Sequence, residues 1–158
     1  MKQKSSFCTL FDSFYLSRGL ALYRSLEEQC EDFELYILAF DNKSFDILND
    51  LNLSKAIIIS LSQVENVDLQ RVKAGRTRAE YCWTHTPQII DYVFKTYNVG
   101  MCTYLDADIY FFNSPDILLK EISGNDLRDV LLTAHNYHPE YDQTHVSGKY
   151  CVQFVTFK

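Results

Sequence analysis

Phe7 to Asp41 reads FCTLFDSFYLSRGLALYRSLEEQCEDFELYILAFD. Its opening run, Phe7 to Phe11, is short and apolar and predicts a buried strand. From Tyr15 to Cys30, residues Leu16, Leu20, Tyr23 and Leu26 recur at three- and four-residue spacing, which predicts a helix with one buried stripe. Leu35 to Phe40 is apolar without alternation, as expected of a strand covered on both faces. Strand, helix and strand in that order predict a parallel pair with the helix as its crossover.

The alternation continues outward. Phe45, Leu48 and Leu51 suggest a short helix, and Ala56 to Leu61 (AIIISL) a β-branched third strand. Gln70 to Arg78 is basic and reads as irregular. Ala79 to Tyr97 is helical with a break at Pro87, where Thr86 is placed to cap and Pro87 to begin the new helix. Met101 to Phe112 reads as an apolar strand carrying two aspartates. Ser114-Pro115-Asp116 starts a short helix ending near Ile122. Val130 to Ala134 and Val152 to Phe157 complete the strands. The expected fold class is α/β: a mostly parallel central sheet flanked by helices. Ligands of such sheets bind beyond the carboxyl ends of the strands, where strand order reverses.

The 158 residues suit one domain, 1–158. Lys and Arg number 15 against 21 Asp and Glu, a net charge of −6, which argues against a nucleic-acid partner held by a basic face. The five cysteines are widely spaced with no CxxC pair, so they read as reduced, buried thiols of a cytoplasmic protein, free or peripheral at the inner membrane face. No apolar run approaches the roughly 18 residues of a transmembrane segment, and no signal-peptide pattern opens the chain. The four histidines are scattered, and no spacing completes a zinc site. Trp83, the only tryptophan, is expected in the core, with a place in the pocket wall as its alternative.

The chemistry concentrates in Tyr104 to Phe112, YLDADIYFF. Two acids in an apolar strand need a compensating partner, because a buried, unpaired carboxylate is costly. Residues i and i+2 of a strand share a face. Asp106 and Asp108 are therefore placed to offer oxygens to one hard cation, Mn²⁺ or Mg²⁺. The phosphatases that use Asp-x-Asp after their first strand fit poorly, since Ile109-Tyr110 follows here and three strands precede.

Phe7 to Asp12 (FCTLFD), Tyr15 to Leu26 (YLSRGLALYRSL) and Glu34 to Asp41 (ELYILAFD) together resemble the opening of a GT-A glycosyltransferase. Arg76 to Pro87 (RTRAEYCWTHTP), Tyr104 to Phe112 and Ser114-Pro115 resemble its family-8-like, nucleotide-sugar-dependent branch. The resemblance implies a UDP-sugar donor, a carbohydrate or glycoconjugate acceptor and transfer of the sugar to an acceptor hydroxyl. It assigns Thr9, Asp12 and Tyr15 to the base and ribose; Arg76 and Arg78 read either as bidentate partners of the phosphates or as a solvated basic loop, Asp106 and Ala107 join the nucleotide-binding set, and Asp106 and Asp108 remain the expected metal ligands. Taken singly, Asp12 reads equally well as an Asx turn or helix cap. Two departures stand out: Cys151 and Gln153 occupy positions where the family commonly carries Asn and Gly, and the chain stops at Lys158. A non-catalytic nucleotide-sugar-binding domain is therefore the alternative, with self-association or loss of acceptor binding expected near the chain end.

Overall fold

The computed structural model describes residues 4–123 and 127–158. Strands β1 (Ser5–Phe11), β2 (Phe33–Ala39), β3 (Ala56–Ser60), β4 (Cys102–Leu105), β5 (Val130–Ala134) and β6 (Tyr150–Phe157) form one sheet in the order β3-β2-β1-β4-β6-β5. The β3, β2, β1 and β4 neighbours pair in parallel, whereas β6 runs antiparallel to both β4 and β5. The sheet is thus mostly parallel, as the alternation predicts.

Successive side chains of the central strands enter two cores, one on each side. Phe7 and Phe11 of β1 and Phe33, Leu35 and Ile37 of β2 pack with α1 (Leu16–Gln29), α2 (Asn42–Asp50) and α7 (Asp116–Ser123). Cys8 and Leu10 of β1, with Tyr36 and Leu38 of β2, pack under α3 (Leu61–Val64), α5 (Arg78–Thr84) and α6 (Thr86–Tyr97). Two buried faces explain why these strands read as continuous apolar runs. Gly19 sets the closest approach of α1, because a Cβ there would lie 2.3 Å from the Phe11 ring.

Several expectations are corrected. The strand expected over Met101 to Phe112 ends at Leu105, and Asp106 to Asp108 form the turn that follows. The Asp106 amide donates to the Gln153 carbonyl of β6 at 2.9 Å, and Ile109 N–H closes the turn on the Asp106 carbonyl at 3.2 Å. Of the stretch expected to be irregular, residues 70–73 end α4 (Val67–Lys73), whose Asp68 and Leu69 amides donate to the Asn66 side chain, and only residues 74–77 are non-helical. Asp68 in its first turn and Arg71 and Lys73 in its last suit the helix dipole. Thr86 is the first residue of α6 rather than its cap, with Pro87 in the first turn. A short α8 (Thr144–Ser147) precedes β6.

His85, between α5 and α6, is fully buried against the rings of Phe40 and Tyr81. Its Nδ1 lies 2.8 Å from the Tyr81 carbonyl and so carries the hydrogen, while Nε2 has no partner among the described residues. Burial lowers its pKa below the usual 6.5. The unfolded chain therefore takes up this proton first, and the stabilisation present above pH 6.5 is lost as pH falls toward the lower folded value. Urea unfolding between pH 5 and 7 should show this loss, and His85→Phe should flatten it. Gly19→Ala should lower stability by about 1–2 kcal/mol, because displacing a buried ring outweighs the roughly 1 kcal/mol gain in helix propensity.

Candidate functional site

From β1 the chain moves to β2 on one side, while β4 returns on the other. The carboxyl ends of β1 and β4 consequently open a cleft of ≈ 440 Å³. Asp12 and Tyr15 from the end of β1, Arg78, Cys82 and Trp83 from α5, and Asp106 and Asp108 from the end of β4 converge there. Parallel strand order reverses at this point of the sheet, the usual seat of a ligand in such folds.

Asp12 serves first as a turn former. Its Oδ1 accepts from the amides of Phe14 and Tyr15 at 2.9 and 3.3 Å. Its Oδ2 lies 2.6 Å from Arg78 Nη2. The same nitrogen is 3.4 Å from Asp41 Oδ2. Asp41 caps α2 by accepting from the Ser44 amide at 2.7 Å, and its other oxygen accepts from the Ser13 amide and hydroxyl. Arg78 thus ties α5 to the ends of both β1 and β2, and its guanidinium lies 5.2 Å from the centre of the Phe14 ring. Arg18 covers the Tyr15 ring at 4.5 Å.

The two carboxylates of the turn after β4 differ. Asp106 is half-buried and Asp108 exposed. The Asp106 Oδ1 accepts from the buried Tyr104 hydroxyl at 3.0 Å. Burial raises the Asp106 pKa, the Tyr104 hydrogen bond opposes that, and the Asp108 charge adds to the rise. The Cys82 thiol in the cleft wall is pushed up to about 11, by burial first and then by Asp12. It stays protonated at neutral pH and is no nucleophile.

Of the residues expected at the nucleotide, Asp12, Tyr15, Arg78, Asp106 and Ala107 line this one cleft together with Asp108. Thr9 does not: it is fully buried in β1, and its hydroxyl has no partner among the described residues. Arg76 also lies outside the lining, bonded to the Thr84 hydroxyl of α5. Trp83, expected in the core, is 69% exposed at the rim. Gln153 does not reach the lining; its contribution is the carbonyl that receives the Asp106 amide. Asp41 and Tyr104 were not anticipated. The Asp41-x-x-Ser44 spacing of a capping box is legible for the first, but the second has no local signal.

Among the described residues no group of three or more His, Cys, Asp or Glu is arranged to hold a metal, and no helix is long and apolar enough to cross a membrane. The chain matches no protein-family profile. It is 29% identical over 154 residues to YfnD, an uncharacterized protein of Bacillus subtilis strain 168, covering 94% of this chain and 48% of YfnD. A second uncharacterized protein of that strain, YfnF, is 26% identical over 98% of this chain and 52% of its own length. The chain therefore spans about half the length of the curated relatives it matches. Among solved structures, the glycosyltransferase GlyE of Streptococcus pneumoniae TIGR4 superposes with a TM-score of 0.57 at 13% identity, over 99% of this chain and 34% of GlyE. LgtC gives a TM-score of 0.57 at 15% identity, over 96% of this chain and 56% of its own. The fold is that of GT-A, nucleotide-sugar transferase-like proteins.

Asp41 makes a checkable link between fold and site. Burial raises its pKa, but the hydrogen bonds from Ser44 and Ser13 outweigh burial and leave it below the usual 3.8. Its stabilisation is present above pH 3.8 and is lost as pH falls through the lower folded value. Asp41→Ala should cost about 1–2 kcal/mol at pH 7, the scale of a lost cap. In urea unfolding the gap from wild type should narrow below pH 3.8.

Proposed function

We propose that the cleft binds a UDP-sugar with a divalent cation, Mn²⁺ or Mg²⁺, and that the protein transfers the sugar to the hydroxyl of a carbohydrate or glycoconjugate acceptor. The observation that carries this reading is the convergence of Asp106 and Asp108 with Asp12, Tyr15 and Arg78 at the strand-order reversal of a GT-A fold.

The donor set fits a hard cation. Asp108 is open to solvent, and Asp106 commits only Oδ1 to Tyr104. Two carboxylates leave most of an octahedral shell to waters and diphosphate oxygens, an arrangement Mg²⁺ and Mn²⁺ favour. Asp106 and Asp108 would hold the cation, which when bound supplies positive charge against the leaving diphosphate.

The remaining work falls to the chain's own groups. Tyr104 fixes one oxygen of Asp106 and leaves the other to the cleft. Asp12 spends one oxygen on its turn and the other on Arg78, so contact with base or ribose uses its remaining lone pairs, while Tyr15 offers a ring. Arg78 offers a guanidinium whose several donors suit phosphate oxygens. In transfer, the bond from the anomeric carbon to the β-phosphate oxygen breaks, and UDP leaves with the electron pair. The acceptor oxygen bonds that carbon, and its proton passes to water.

With only two protein carboxylates, cation and nucleotide should bind as a unit. Calorimetry should find UDP at least about tenfold weaker in chelator than in Mn²⁺, because three anionic partners then face one another. Asp108→Asn should lose most of the metal-dependent part with an unchanged melting temperature. Equal UDP affinity with and without metal, or an unaltered variant, would remove the assignment.

A further inference from the structure

We propose that Trp83 is the platform on which the sugar ring of the nucleotide sugar lies, so that it selects for the sugar and not for the nucleotide. The inference rests on the nucleotide-sugar reading of the cleft.

Trp83 lines the cleft yet is 69% exposed. Among the described residues no aromatic ring or cation packs on its indole. A large apolar ring held open beside polar groups is unusual for a surface helix, and such rings recur in ligand pockets as apolar walls. Its helix gives it a defined position. Arg78 at the start of α5 reaches Asp12 and Asp41, at the ends of β1 and β2. Arg78 therefore anchors the start of α5 at those strand ends, and Trp83 in its last turn lines the same cleft as Asp106 and Asp108.

The covalent order of the ligand supplies the rest. A nucleotide sugar runs from base to ribose to diphosphate to sugar. With the base and ribose at Asp12 and Tyr15 and the diphosphate at Asp106 and Asp108, the group beyond the diphosphate is the sugar. A hexopyranose has an apolar face of C–H groups that covers an indole well. The Tyr15 ring, also in the lining, already has Arg18 over it.

Trp83 is the only tryptophan, so its fluorescence reports this contact alone. Wild type is titrated in Mg²⁺ with UDP, UDP-glucose, UDP-galactose and UDP-N-acetylglucosamine, and each affinity is repeated by calorimetry on Trp83→Ala and Trp83→Phe. At least one UDP-sugar should blue-shift the emission, and UDP much less. Trp83→Ala should weaken that UDP-sugar by about five- to tenfold, the scale of one aromatic contact, and leave UDP within about twofold. Trp83→Phe should recover part of the loss, and the exposed position predicts an unchanged melting temperature. Equal losses for UDP and UDP-sugar, or no loss for any ligand, would overturn the inference while leaving the nucleotide site standing. A wild type that binds none of the four would overturn the nucleotide reading and this inference with it.

Discussion

Strand β1 is the constraint on which the molecule depends. Phe7 and Phe11 fill one core, and Cys8 and Leu10 the other. The strand is hydrogen-bonded on both edges, to β2 along its whole length and to β4 at Phe7 and Cys8. A strand so enclosed exposes polar backbone only where it ends, and the chain must there choose a side. It turns through Asp12 into α1, while β4 arrives on the opposite edge and turns through Asp106. The cleft is the space that these two departures leave uncovered.

Much of this was legible because the signals were strong and local. The unbroken apolar run of β2 and the three- and four-residue spacing in α1 admit one reading each. What failed depended on distant partners. The apolar residues after Asp108 look like a continuing strand, but the Gln153 carbonyl of β6 takes the Asp106 amide, and the chain turns. α4 buries only Leu69, so it writes no apolar stripe, and its signal lies in the Asn66 cap. Trp83 was misjudged from residue type. Tyr81 points into the core beside Phe40, and two residues further along a helix is a rotation of about 200°, which turns Trp83 to the opposite side.

The site residues divide in the same way. Asp106 and Asp108 stand out as acids in apolar sequence, and both reach the cleft, although in a turn rather than along a strand face. Asp12, Tyr15 and Arg78 were legible only through the spacing of several blocks, since each has an ordinary structural role as well. Asp12 fills that role while lining the cleft: one oxygen holds the turn into α1 and the other holds Arg78. Thr9 faces the core because strand side chains alternate, and Phe7 and Phe11, two residues to either side, both point inward.

Charge decides what such a cleft accepts. Asp12, Asp106 and Asp108 set three carboxylates against the single guanidinium of Arg78 within the lining. A diphosphate entering alone meets net repulsion, undiminished by the protein's overall charge of −6. Arg78 cannot reverse this while it pairs with Asp12 and Asp41, since its charge is shared between two anions. Its side chain is 58% exposed, so these ion pairs are screened and contribute little to folding. The Asp12–Arg78 pair is therefore an electrostatic setting of the site more than a brace of the fold. The excess negative charge at Asp106 and Asp108 is the reason a divalent cation is proposed to enter with the anionic ligand.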